Sequence, residues 1–204
     1  MSENIISVRT YAEPPIRKKE ILRYMGAKEV SDELLTLLDS CIAEAHNCFS
    51  YRVCFREFAV HPDENGTDLS FARVESVALR KNLTGCDRSV LFAATVGLEI
   101  DRLIAKYSRL YPVKALCMQA FGAERIEALC DAFNDEMNVH FQAEGCFLRP
   151  RFSPGYGDLP LALQKDIFRV LDCPRKIGLS LNESLLMSPS KSVTAIIGIG
   201  KDTK

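Results

Sequence analysis

Between Val113 and Gln142 the chain reads VKALCMQAFGAERIEALCDAFNDEMNVHFQ, with apolar side chains every three or four positions. That period predicts a long helix with a buried face, and Gly122 is its one weak point. A second helical stretch, LEIDRLIAKYSRL, precedes it and is set off by Pro112. The middle of the chain is therefore a helical block, and the strand-like segments have to lie on either side of it. Blocks of this kind, without strict βαβ alternation, predict an α+β fold: a central antiparallel or mixed sheet flanked by helices, with a helical amino-terminal part.

The first dozen residues read as extended and are closed by Glu-Pro-Pro. Ile16, Ile21, Leu22 and Met25 recur at helical spacing up to Gly26, and Ser31 and Asp32 are candidate caps for a second helix, DELLTLLDSCIAEAHNCF. The period then changes. YRVCFREFAV alternates as a strand and ends in the turn-rich HPDENGTD, with Leu69–Phe71 expected as the returning strand of a hairpin. RSVLFAATVG reads as a buried strand closed by Gly97. LALQKDIFRVLD reads as a helix, KIGLSL as a strand, and VTAIIGIG as a further strand. Residues 1–50 are expected to form a helical segment packed on a main domain of residues 51–204.

Charge and composition narrow the function classes. Hydrophobic residues make up 47% and charged residues 26%, with a formal net charge of −1, so no phosphate-neutralising surface for nucleic acid is implied. The basic run IRKKEILR has the spacing of a solvated helix face. MSENIISVRTYAEPP lacks the apolar core of a signal peptide, and no apolar run reaches transmembrane length, so a cytoplasmic location is expected. The eight cysteines include no C-x-x-C pair and read as reduced, buried small hydrophobes rather than metal ligands.

Familiar catalytic patterns are missing too. His46, His61 and His140 stand in no H-E-x-x-H context, and neither a G-x-S-x-G elbow nor a P-loop is present. In IIGIGKDTK, Gly198 and Gly200 have no following helix to aim at a phosphate and are expected at a strand end. Glu124, Glu127, Asp131, Asp135 and Glu136 form an acidic stripe on the long helix, with Glu127 and Asp131 four apart on one face.

The segment LRPRFSPGYGDLPL carries more chemistry than a connection needs. Arg151-Phe-Ser-Pro-Gly155-Tyr156 fits R-x-x-x-G-Y and resembles the S-adenosylmethionine-binding signature of the activation domain of cobalamin-dependent methionine synthase. Downstream, RKIGLSLNESLLMSPSKSVTAIIGIG is similar to that family's Ile-Gly, Glu-Ser, Met-x-Pro and Ser-Val blocks, and the long helix is similar to the one preceding its signature. The resemblance is good over roughly residues 95 to 200.

The resemblance implies an S-adenosylmethionine site built from Arg151, Ser153, Gly155, Tyr156, Glu127 and Glu183, with no metal ligand and no catalytic residue of its own. An arginine can clamp the ligand carboxylate with two parallel hydrogen bonds, and Pro-Gly lets the backbone approach it. Tyr156 offers an aromatic face, and a carboxylate such as Glu127 suits the sulfonium or the ammonium. Cobalamin is expected only on a partner, such as methionine synthase or another corrinoid protein, since no histidine stands in D-x-H-x-x-G. A flavodoxin or ferredoxin would supply the electron for reductive methylation. Methyltransferase-type activity is then expected only together with that corrinoid-bearing partner. A non-catalytic ligand-binding or docking module is the alternative, and a small-molecule methyltransferase a third reading.

The chain also departs from the family. The family's aspartate near the amino end, in a tryptophan-rich setting, has no match, because the chain has no tryptophan. The family's paired tyrosines after the final strand are not found before Lys204.

Overall fold

The computed structural model describes residues 5–201. The chain enters through strand β1 (Ser7–Tyr11) and helices α1 (Lys18–Tyr24) and α2 (Asp32–Ala45), then forms β2 (Tyr51–Ala59). A small meander of β3 (His61–Asp63), β4 (Gly66–Asp68) and β5 (Arg73–Val74) follows, and α3 (Val77–Asn82) leads into β6 (Cys86–Thr95). Next come α4 (Glu99–Leu110), α5 (Pro112–Ala143) and β7 (Cys146–Leu148). Helices α6 (Gln164–Leu171) and α7 (Cys173–Ile177), the pair β8 (Ser180–Leu181) and β9 (Met187–Ser188), and β10 (Ser192–Lys201) complete the described fold.

The central sheet runs β1-β2-β6-β10-β7, with every neighbouring pair antiparallel. This is the expected α+β architecture. In β6, Val90, Phe92 and Ala94 join one core, and Leu91 and Ala93 join a second core on the opposite face. Burial on both faces explains why this strand reads as a continuous apolar run rather than an alternation.

Helix α5 lies across the first face and packs against α1, α2 and α4. Phe133 on α5 meets Phe55 and Phe92 of the sheet, with ring centroids 5.2 and 4.8 Å apart. Helices α6 and α7 cover the second face. Pro112 occupies the first turn of α5, where its missing N–H breaks no helical bond. Gly122 leaves the helix unbroken. It is buried, and a Cβ there would come within 2.9 Å of Lys191 and 3.1 Å of Ile100, so its absence permits the close approach of α4.

Ser31 caps α2 by accepting from the Leu34 N–H at 3.3 Å. Gly198 and Gly200 lie within β10, where added side chains would strike Leu83 and Phe147 respectively. All eight cysteines are free and all but Cys48 are buried. Burial pushes the Cys130 thiol up to about 12. Among the described residues no helix is long and apolar enough to cross a membrane.

Two local expectations are corrected. Leu69–Phe71 is not a strand, because the returning strand is β4, inside the segment read as loop. Asp68 turns the chain by accepting from the Ser70 N–H at 2.8 Å, and Ser70 adopts φ 64°. In KIGLSL, Lys176 and Ile177 finish α7, Gly178 at φ +71° ends that helix, and only Ser180–Leu181 is extended.

Candidate functional site

After β7 the chain stays beside β10. Phe152 exchanges both backbone hydrogen bonds with Ile196 at 2.9 Å, and its ring enters the second core. Successive side chains of an extended segment point to opposite faces, so Arg151 is delivered to the face that α5 covers.

Helix α5 meets it with Glu124, Glu127, Asp131 and Asn134, spaced three, four and three apart on one stripe. The Arg151 guanidinium donates through Nη2 to Glu127 Oε2 at 3.2 Å and Asp131 Oδ1 at 3.1 Å. Arg17, from the segment before α1, reaches the same stripe. It donates to Asp131 Oδ2 at 3.0 Å and Glu124 Oε1 at 3.2 Å. Asp131 thus holds one guanidinium on each oxygen.

Beneath this lies a fully buried ion pair. Arg125 donates to both oxygens of Glu124, at 2.6 and 2.7 Å, and to the carbonyls of Pro14 and Pro15 at 2.5 and 2.8 Å. Neither side chain is exposed. Burying two charges is costly unless their remaining hydrogen-bonding capacity is met, and here the prolines' free carbonyls meet it. The Glu-Pro-Pro-Ile-Arg segment is therefore a strap fastened across α5.

A cleft of about 430 Å³ opens beside these groups, lined by Asp131, Asn134, Asp135, Pro150 and Arg151. Two buried polar atoms of its lining have no hydrogen-bond partner: Nη1 of Arg151 and Oδ1 of Asn134. An unmade hydrogen bond of this kind costs on the order of 1–3 kcal/mol. A larger groove of about 550 Å³ at the α4–α5 junction, around Leu37, Tyr107 and Tyr111, contains none of the signature residues.

The rest of the signature is a tight turn. Gly155 takes φ +87°, which favours glycine, and its N–H donates to the Leu159 carbonyl at 2.9 Å. The Ser153 carbonyl accepts from the Tyr156 N–H at 3.1 Å. The Tyr156 ring is 71% exposed and sits edge-on to Phe152 at 5.6 Å, an aromatic surface presented to solvent. Asp158 anchors the turn to the start of α3, accepting from the Ser76 hydroxyl and the Val77 and Ala78 N–H groups at 2.5, 2.7 and 3.2 Å. These bonds, that of Ser76 foremost, hold the Asp158 carboxyl below the usual carboxylate range.

A family model described as the vitamin B12 dependent methionine synthase activation domain matches residues 11–204. The chain belongs to this activation-domain family. No curated protein sequence matches it. Among solved structures, one described as the MetH reactivation domain bound to AdoHcy superposes with a TM-score of 0.65 at 14% identity. The superposition covers 98% of this chain and 79% of that one, and at this identity the likeness is one of fold.

In this activation domain the structure brings Arg151 and Glu127 into contact and sets Ser153, Gly155 and Tyr156 on the adjoining turn. Glu183 lies apart, exposed in the turn between β8 and β9; among the described residues no hydrogen bond or ion pair joins it to the Arg151 cluster. Asp131 figured in the sequence only as part of an acidic stripe, and Asn134 not at all, although the three-four-three spacing from Glu124 points to both. No local signal marks Arg17, whose partner Asp131 is 114 positions away.

Proposed function

We propose that this activation domain binds S-adenosylmethionine at the cleft beside Arg151 and presents its methyl group to a corrinoid carried by a partner, such as cobalamin-dependent methionine synthase. The observation that carries the reading is the Arg151 guanidinium of the R-x-x-x-G-Y signature, seated on the α5 carboxylates with Nη1 still unpaired. Membership of the family over residues 11–204 supports it.

In this reading Arg151 takes the ligand carboxylate, and the carboxylates of α5 favour the positive sulfonium. The Gly155 turn lets the backbone come close, and Tyr156 offers a face for the adenosine. One electron from a flavodoxin or ferredoxin reduces the partner's cobalt to the Co(I) state. Cobalt then forms the bond to the methyl carbon as the carbon–sulfur bond breaks, and the sulfur keeps its electron pair as S-adenosylhomocysteine. The nucleophile comes from the partner and no proton has to move. The domain's task is therefore positioning and electrostatics, and no general base is required.

Calorimetric titration with S-adenosylmethionine, run beside Arg151→Ala, tests the binding step. Saturable binding by the wild type that the variant loses is expected, and no binding at millimolar ligand would overturn the reading. Methylation of a corrinoid protein under reducing conditions tests the second step. Binding without methylation would identify a ligand-sensing or docking module instead.

A further inference from the structure

We infer that Asn134 forms, with Arg151, a subsite for the zwitterionic amino-acid head of the ligand, Asn134 Oδ1 accepting from the α-ammonium while Arg151 Nη1 donates to the α-carboxylate. The inference rests on the proposed function and deepens it. It assigns Asn134 a role that the signature motif does not contain.

The two orphan atoms are complementary in kind, and both are shielded until their side chains turn toward the cleft. Arg151 Nη1 is a donor without an acceptor, and Asn134 Oδ1 is an acceptor without a donor; both belong to residues lining the same cleft. The charges select further. Asp131 and Asp135 set two carboxylates against the single guanidinium of Arg151 in the lining, so a plain anion meets net repulsion. A plain cation leaves Nη1 unsatisfied. An ammonium and a carboxylate on one carbon satisfy both atoms and add no net charge.

Arg151 is also free to exchange partners. Its Nη2 is divided between two carboxylates at 3.2 and 3.1 Å, longer than the about 2.7–2.9 Å of strong charge-assisted bonds, and neither pair is bidentate. Arg17 holds the other oxygen of Asp131 at 3.0 Å, so that carboxylate keeps a counter-charge when Arg151 turns to a ligand.

Calorimetry with three adenosine ligands tests this. S-adenosylhomocysteine has the complete head, its deaminated analogue keeps only the carboxylate, and 5′-methylthioadenosine has no head. Asn134→Leu is expected to weaken S-adenosylhomocysteine about tenfold, the effect of losing one hydrogen bond to a charged group, and to leave both other ligands unchanged. An equal loss for all three ligands, or no loss for S-adenosylhomocysteine, overturns the inference. Should Asn134→Leu fail to fold, the wild type decides: the deaminated analogue must bind about tenfold more weakly than its parent, and equal affinity overturns the subsite. A wild type that binds neither S-adenosylmethionine nor S-adenosylhomocysteine refutes the proposed function itself. Binding without discrimination of the head refutes only the role of Asn134.

Discussion

Arg151 matters through its shape as much as its charge. One guanidinium nitrogen holds the domain's own carboxylates and another has no hydrogen-bond partner, and an ammonium cannot divide itself in that way. Arg151→Lys is therefore expected to lose S-adenosylmethionine binding nearly as fully as Arg151→Ala, by about tenfold or more, the effect of a lost hydrogen bond to a charged group. Full rescue by lysine in the titration would show that charge alone suffices. A contrasting residue is Gly198, whose role is to lack a side chain. A Cβ there would lie 2.7 Å from Leu83 and 2.8 Å from Cys86. Gly198→Ala is expected to destabilise the fold by about 1–3 kcal/mol through overpacking, read from denaturant unfolding. Of these two residues only Arg151 stands out in the sequence as a candidate, because a six-residue motif is local. The constraint on Gly198 comes from Leu83 and Cys86 on distant parts of the chain.

At the scale of elements, the strap and the signature turn are held by opposite strategies. The strap depends on a buried charge, since the one Arg125 guanidinium satisfies both Glu124 oxygens and the Pro14 and Pro15 carbonyls. Arg125→Met leaves the buried Glu124 carboxylate with Oε2 unpaired and only Arg17, at 3.2 Å, on Oε1, and is expected to cost roughly 3–5 kcal/mol. Loss of stability in Arg125→Met that is recovered in the double variant with Glu124→Gln would confirm the cause. The signature turn is tied at its surface. Asp158→Ala is expected to raise hydrogen exchange at the Val77 and Ala78 amides and across residues 153–159 while the sheet amides stay protected. Unchanged exchange there would remove Asp158 from the anchoring role. The long elements of this fold could be read from the sequence: α5, α4 and β2 through a repeating apolar pattern, β6 and β10 through continuous apolar runs buried on both faces. Strands β4 and β7 and helix α7 were misread or missed because each is too short to show a period, and β8 is only the end of the segment read as a strand. Their conformations are fixed by partners, β7 by Ile199–Lys201 of β10 and β8 by β9.

For the whole molecule, stability in acid depends on contacts that join separate helices. Glu44 of α2 receives Lys114 of α5 at 2.7 Å and the Tyr107 hydroxyl of α4 at 2.6 Å. These bonds, Lys114's first, hold its carboxyl down to about 2. The folded value lies below the unfolded one, near about 4.3 for a free glutamate. The contribution is therefore complete above that pH and is lost as pH falls toward about 2. Melting temperatures measured from pH 5 to pH 2 should fall less steeply for Glu44→Gln than for the wild type, and identical slopes would exclude this contact as a source of acid sensitivity.

The position of β10 has a further consequence, for synthesis. The strand fills the gap between β6 and β7, and its Ile196 carries the backbone bridge that orients Arg151 and Phe152. All of these partners precede it in the chain. On a ribosome the helices can form as they emerge, but β6 is left with an open edge until Ser192–Lys201 has been released. Pairings this distant are slow to close, and an uncovered apolar edge is a hazard during that wait. The nascent chain therefore completes its sheet and orients the signature turn in one late event, and a product interrupted before Ser192 lacks both the β6–β10–β7 pairings and the bridge to Phe152.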